Sequence, residues 1–356
     1  MQTPPVFRPL DAAKSESSSP ILYLIFSHDN QQQLPRLARA IRRLSPTALI
    51  AIHHDPRIQA LDAGLFSGIE DLHLVPSPVM GEWGGYSQVE QYLHAMRWCL
   101  NGLDFAWICT LTGLSYPIRP LRDFEQFLRT SDYDAFVRHF DAFDPGPYPK
   151  GVVPKGTGET RYLFRYFRLP RFPYYYRVPR TIREGLGRAR EAFNRSQPLF
   201  RIVPMPRGAK TRLGVRRLRL PFGREFKYCG GRQMLNLTRC ALVRVLQFIE
   251  DNPRYEEFFR RTLHPDEGFF TSILGNDPVL RVCNDVLRYI KWPKAIGASS
   301  VAVIGVAELD DVFQSPAPFG LKFDMHLEPG ALERVDALLG LDAVGSRVSS
   351  PNVTTP

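Results

Sequence analysis

The sequence predicts an α/β fold with a mostly parallel central sheet and a long basic insertion, on three observations. Short apolar runs alternate with segments of helical periodicity from residue 20 to residue 145. Each apolar run closes on a polar cluster, as strands of an open parallel sheet do where they face a ligand. Between 146 and 225 that alternation gives way to Pro, Tyr and Arg, and loops of such length usually carry a lid or a binding surface.

The elements follow in order. ILYLIFS (21–27) is an apolar strand ending on His28, Asp29 and Asn30, and LPRLARAIRRL (34–44) sets apolar residues at helical spacing with arginines on the other face. ALIAIHHD (48–55) is a second strand ending on His53, His54 and Asp55, which completes a β-α-β unit. DLHLVPS (71–77) reads as a strand, 88–101 as a helix that Ser87 could cap, FAWICTLTG (105–113) as a buried strand, LRDFEQFLRT (121–130) as a helix and DAFVRHF (134–140) as a strand. Within the insertion one helix is expected, over 181–193. Beyond it come a helix over 234–251, the segment HPDEGFFTSILG, strands over 285–292 and 299–306, and a helix over 331–340. The organisation is therefore a disordered segment 1–19, a nucleotide-binding half 20–145, the insertion 146–225, an acceptor and catalytic half 226–343, and a disordered tail 344–356.

Composition narrows the classes. With 44% hydrophobic and 23% charged residues the chain can bury a full core, and no apolar stretch reaches the ~18–20 residues of a membrane span. The first twenty residues hold no apolar block of a secretory signal, and five cysteines without a Cys-x-x-Cys pair form neither a disulfide framework nor a zinc pattern. A cytoplasmic protein with buried thiols is expected. The formal net charge of +10 concentrates between Arg161 and Arg232, so an anionic partner meets a local patch. One such partner is the inner membrane face, as a peripheral contact, and a lipid-linked saccharide would be met there.

There is no GxGxxG opening a helix, no GxxxxGK[ST] and no GxSxG, which removes the standard dinucleotide, P-loop and hydrolase readings. Asp132-Tyr133-Asp134 has the Asp-x-Asp form that carries a metal in many nucleotide-sugar transferases, but it opens a strand and reads as a solvated turn. Trp83, among the glycines of GEWGGYS, suits stacking on a ring or burial under the turn. Asp266 and Glu267 start a helix, where they complement its dipole or present a carboxylate at a cleft floor. Lys322 is a lone cation in the apolar run LKFD, the pattern of a snorkelling surface lysine.

In series, strands ending in SHD and HHD, then EWGGYS, FAWICTLTGLSYPIRPLRDFEQFL, GGRQMLNLTR, HPDEGFFTSIL, YIKW and LKFD resemble the core-2/I-branching β-1,6-N-acetylglucosaminyltransferase family, in a bacterial-type form, over 20–340. The resemblance implies a GT-A-type nucleotide-sugar-binding fold and an inverting, metal-independent transferase with no cofactor beyond its UDP-sugar donor. It places the catalytic base on Glu267 and the diphosphate-neutralising lysine on Lys322. Asp55 falls on the acidic residue that contacts the uridine or ribose, with His28, Thr112 and Ser115 on the donor side. Trp292 matches an aromatic against the acceptor sugar, with Glu159 and Arg161 near acceptor-contacting positions. Ser115 stands where the family commonly has aspartate, and Gly231-Arg232-Gln233-Met234 where it has Gly-Ser-x-Trp, so donor and acceptor choice lie open. Xylosyl or glucuronosyl transfer and a UDP-binding homologue without turnover remain alternatives. So does a polyanion-binding protein for nucleic acid or anionic membrane, although no nucleic-acid module is present and nucleic acid is not expected as a partner.

Overall fold

The computed structural model describes residues 6–7, 19–144, 156–170, 179–205, 210–222, 225–292 and 301–341. The first half runs β1 (Ile21–Ser27), α1 (Gln33–Leu44), β2 (Leu49–His54), β3 (Leu72–Leu74), α2 (Ser87–Gly102), β4 (Trp107–Thr112), β5 (Ser115–Pro117), α3 (Leu121–Thr130), β6 (Ala135–Phe136) and β7 (His139–Asp141). The insertion holds α4 (Thr157–Tyr162), β8 (Phe164–Arg168), α5 (Arg180–Ser196), β9 (Phe200–Val203) and β10 (Arg212–Arg216). The last part runs β11 (Cys229–Gly231), β12 (Asn236–Thr238), α6 (Arg239–Asp251), α7 (Pro253–Arg260), α8 (Phe269–Asn276), β13 (Val282–Cys283), β14 (Arg288–Ile290), α9 (Leu309–Gln314), β15 (Phe319–Leu321) and α10 (Pro329–Leu338).

A seven-stranded sheet in the order β13-β6-β12-β4-β1-β2-β3 forms the centre. β1 pairs in parallel with β2 and β4, and β2 with β3, as the sequence predicts for helix-linked strands. Both faces of β1 and β2 are covered, which is why they read as continuous apolar runs rather than alternating ones. On α1, Leu34, Leu37, Ala38 and Ile41 are buried against the sheet, and Arg36 leaves the apolar face to pair with Asp336 of α10 at 2.7 Å.

The structure departs from the sequence reading where local pattern and pairing compete. The helix expected over 234–251 begins only at Arg239. Residues 236–238 instead form β12, antiparallel to β4 and β6, and the Thr238 hydroxyl accepts from Ala241 N to start α6. Leu235 and Leu237 fit helical and extended spacing alike, and the open edges of β4 and β6 decide between them. The expected strand 134–140 divides into β6 and β7, and 285–292 shortens to β14 in a three-stranded sheet with β15 and β5. Of 299–306, the first two residues lie outside the described residues, and 301–305 run without strand assignment into a 3-10 turn, Val306–Glu308.

The insertion carries more order than one helix. Beside α5 it forms the antiparallel sheet β8-β10-β9 and the short helix α4. The tail 344–356 lies outside the described residues, as does most of 1–19. Within the latter, Val6 exchanges two 2.9 Å hydrogen bonds with Asn252 and Phe7 packs on Phe248, a docked point in a segment expected to be disordered. Ser87 opens α2 without capping it, its hydroxyl accepting from Glu82 N instead. Burial pushes the thiols of Cys99, Cys109 and Cys229 up to about 12, in keeping with inert core cysteines.

Two buried devices fix the parts around the strand ends. Gln33 is fully buried; its amide donates to Gly113 O and Phe323 O and accepts from Met325 N, tying α1 to the ends of β4 and β15. Arg244 of α6 grips Asp277, at the end of α8, through two 2.9 Å hydrogen bonds. That pair holds the helix that leads out of Glu267. Asp277→Ala, which removes the buried carboxylate that Arg244 reaches through two hydrogen bonds, is expected to cost about 3–5 kcal/mol in urea unfolding. Asp132→Ala, at an aspartate 90% exposed, should be neutral within error. Equal effects of the two would contradict this assignment.

Candidate functional site

The carboxyl ends of β1, β2 and β4 open on a cleft of about 980 Å³. His28 and Asp29 line it from β1, Asp55 and Arg57 from β2, and Thr112 to Leu114 from β4. Because β12 runs antiparallel to β4, it is the entry to β12 that reaches this rim, and Arg232, Gln233 and Met234 line the cleft beside Thr112. The GEWGGYS loop closes one side, and the 3-10 turn Pro265–Glu267 another.

Glu267 is the centre of the site. Its Oε2 accepts a 2.6 Å hydrogen bond from Arg161 Nη2, and among the described residues Oε1 accepts none. Burial would raise this carboxyl, but the Arg161 charge, with His264 and Arg232 nearby, carries it below the usual carboxylate range. Asp266 beside it moves the other way. Burial raises it, the Glu267 charge adds to that, and its Oδ1 has no hydrogen-bond partner among the described residues. Adjacent carboxyls are thus divided into an anion and a group driven toward the neutral acid, the division that acid–base chemistry uses.

The pair depends on close backbone approach. A Cβ on Gly268 would overlap the Tyr162 hydroxyl, so that glycine lets α4 seat against the Glu267 turn, and one on Gly158 would overlap Ala142 O, so that one lets α4 lie against the chain leaving β7. Tyr162 donates to Cys229 O at 2.7 Å and thereby fixes its neighbour Arg161. His264 precedes the turn at φ +46°, a left-handed conformation that costs a non-glycine residue of order 1–3 kcal/mol. Its amide donates to Gly84 O, and its ring stands edge-on to Trp83 at 4.6 Å. Trp83 is therefore fixed on the cleft wall by a histidine contact.

Asp55 is almost fully engaged by its own chain. Arg57 donates to both its oxygens, Gly81 N at 2.7 Å and Gln91 Nε2 at 3.2 Å, so it anchors the GEWGGYS loop to the end of β2. Burial opposes that charge, but the Arg57 and Gly81 hydrogen bonds still lower its carboxyl. Ser115 is buried, its hydroxyl accepting from Thr112 N, and it shapes the β4 turn without lining the cleft. Lys322 follows the cleft-lining Leu321 but is not itself among the lining residues. Trp292 lies behind the wall, 4.2 Å beneath the Arg232 guanidinium. Glu159 is exposed on α4, whereas Arg161 two residues on reaches Glu267.

Several lining residues were not singled out in the sequence. Glu82 binds Arg168 at 2.6 Å and Arg212 at 3.1 Å, joining the GEWGGYS loop to the insertion sheet. Arg168 and Lys210 bring the insertion into the cleft, and only the general basic character of 161–232 hinted at them. Arg232 was legible as a departure from a pattern, with no sign of its place. Asp132 and Asp134 sit before β6, at the opposite edge of the sheet from the cleft. Among the described residues no group of three or more His, Cys, Asp or Glu is placed to hold a metal ion.

No family profile matches the chain, and no curated protein matches it in sequence. Solved structures match it at a low level, two of them as follows. One is the galactosyltransferase LgtC in complex with donor and acceptor sugar analogs, 9% identical, covering 93% of this chain and 98% of that one with a TM-score of 0.34. The other is mouse xyloside xylosyltransferase 1 in its apo form, 10% identical, covering 84% and 97% with a TM-score of 0.34. At that level neither assigns a function to this chain.

The site also sets a pH window for stability. Burial lowers both His53 and His264 from about 6.5 to about 4, so between those values the unfolded chain binds two protons that the native chain refuses. The raised Asp266 works in the opposite sense by one proton. His139 is lowered by burial too, in the same sense as the other two histidines, so the net is one proton or more and unfolding free energy should fall by about 1.4 kcal/mol per pH unit or more on acidification from 6.5 toward 4. Urea midpoints at neutral pH and at pH about 5 read this directly; stability that held or rose on acidification would contradict it.

Proposed function

We propose that the chain is an inverting, metal-independent glycosyltransferase that moves a sugar from a UDP-sugar to a hydroxyl of a saccharide acceptor. N-acetylglucosamine is the sugar that the resemblance to the core-2/I-branching family favours. The observation that carries the reading is the ionised Glu267 carboxylate, held by Arg161 on the wall of a cleft at the strand ends, with Arg232 beside it.

A sugar hydroxyl is a weak nucleophile at neutral pH, and a carboxylate within reach that takes its proton contributes about 10²–10⁴ in rate. Glu267 Oε1 is the oxygen left for that task. The acceptor oxygen bonds to the anomeric carbon as the bond from that carbon to the diphosphate breaks. The bonding pair leaves with UDP and the proton passes to Glu267. Attack from the face opposite the leaving group inverts the anomeric configuration and gives a β-linkage.

The diphosphate gains charge as it leaves, and fixed cations in the cleft stabilise it. Arg232 and Lys210 line the cleft with no carboxylate at ion-pair distance among the described residues, so their charge is available to a ligand. The resemblance assigns Lys322 to the diphosphate as well, from a position that follows the cleft-lining Leu321 without itself lining the cleft. His28 and Thr112 flank the nucleotide, and Asp55 serves it by holding the loop that carries Trp83. Glu159, on the open face of α4, and Trp292, through Arg232, stand on the acceptor side.

The reading predicts that UDP raises the melting temperature without added metal, by the equivalent of about 2.7 kcal/mol at a hundred times its dissociation constant. Arg232→Gln should need about tenfold more UDP for the same shift. Donor cleavage should persist in excess EDTA. No stabilisation by UDP or any UDP-sugar would overturn the proposal, and activity that required manganese would overturn its metal-independence.

A further inference from the structure

Helix α5 presents its faces in the reverse of the order that a soluble core requires. The residues turned toward the rest of the chain are Arg183, Gly187, Arg190 and Asn194, each half-buried. Asn194 donates to Ile202 O and accepts from Ile202 N, both at 2.9 Å, so the helix is held to β9 by a polar contact. The apolar residues lie elsewhere. Ile182, Leu186, Ala189 and Phe193 recur at the spacing of one helical stripe, with Ile182 53%, Leu186 52% and Phe193 40% exposed.

Among the described residues nothing covers this stripe. It continues past the end of the helix into exposed Leu199 and Phe200, which Gln197 fastens there by bonding both Phe193 O and Phe200 O. On the flank away from the chain stand Thr181, Gly185, Ala192 and Ser196, small residues that let a plane approach the stripe. The helix sequence carries five arginines against two glutamates, and Glu191 lies within 3.5–3.6 Å of both Arg190 and Arg195. A helix with a surplus of positive charge thus carries an outward apolar face, with Arg183 and Arg190 along one flank of it and Arg188 and Arg195 behind it. No described helix is long and apolar enough to cross a bilayer, so any lipid contact made by this one lies in the plane.

We infer that α5 is an in-plane docking helix for an anionic phospholipid surface. The stripe enters the boundary between headgroups and acyl chains, Arg183 and Arg190 flank it toward the phosphates, and the remaining arginines add long-range attraction from the face behind. The charge of the helix selects this occupant, because a helix with five arginines against two glutamates is repelled by an identical copy and attracted by a sheet of phosphates. The inference is independent of the sugar-transfer reading, since it uses no residue of the cleft.

The test is co-sedimentation of the full chain with vesicles of phosphatidylcholine, with and without phosphatidylglycerol, at low and high salt. Binding is expected to need phosphatidylglycerol and to weaken with salt. Leu186→Asp should lower the partition coefficient about tenfold or more, with the melting temperature and the UDP response unchanged. Arg188→Gln/Arg195→Gln should weaken binding at low salt and narrow the difference between the two salts. Absence of binding to anionic vesicles would overturn the inference. So would binding that Leu186→Asp left intact, which would assign it to diffuse charge, or a dimer in solution that Leu186→Asp dissolved without any vesicle binding.

Discussion

The hydrogen-bonded ion pair between Arg161 and Glu267 is the interaction on which the rest of the site depends. It joins the insertion to the Glu267 turn, 106 residues apart in the chain, and it settles the charge of a cleft carboxylate whose second oxygen accepts no hydrogen bond among the described residues. A cation 2.6 Å away keeps Glu267 anionic despite burial, and Glu267 in turn drives Asp266 toward its neutral form. A half-buried pair of this kind adds little net stability. Its consequence is orientation, since Arg161 holds Oε2 and leaves Oε1 to face a ligand.

The geometry around that pair comes from packing constraints that reach far into the fold. Gly268 lacks the side-chain carbon that would keep the Tyr162 hydroxyl of α4 from the turn, and Gly158 lacks the one that would keep α4 from Ala142 at the end of β7. Glu82 repeats the arrangement on the other wall, where one carboxylate holds Arg168 and Arg212 of the insertion sheet against the GEWGGYS loop. The insertion is thus clamped to the cleft at two points, and it delivers Arg168 and Lys210 to the lining. The region that looked least ordered in sequence supplies much of the positive charge in the cleft.

The parallel part of the fold was legible because its signals are local. ILYLIFS and ALIAIHHD are buried on both faces, so their apolar runs and polar ends marked both strands and rim. The strand β12 was not legible, since Leu235 and Leu237 suit a helix as well and only the neighbouring edges of β4 and β6 choose. The insertion sheet was hidden for a similar reason, as FRYFR and RLGVR are only five residues each, mix arginine with apolar residues, and are fixed as β8 and β10 by pairing with each other across more than forty residues of chain. At the site, the carboxylates of the PDE segment and the end of β2 could be placed by their position after elements. Which cation faced which carboxylate could not, because Arg161, Arg168 and Arg232 reach their positions through contacts distant in sequence.

The central claim is that Glu267 acts as a proton acceptor in glycosyl transfer and not as a structural helix start. Its most direct test is single-turnover release of UDP from a UDP-sugar by the wild type and by Glu267→Gln, with UDP affinity measured on both. The substitution keeps the size and the hydrogen-bonding reach of the side chain while removing its basicity. The account predicts nearly unchanged UDP affinity and a transfer rate lower by about 10² or more. A Glu267→Gln protein that transferred sugar at the wild-type rate would contradict it.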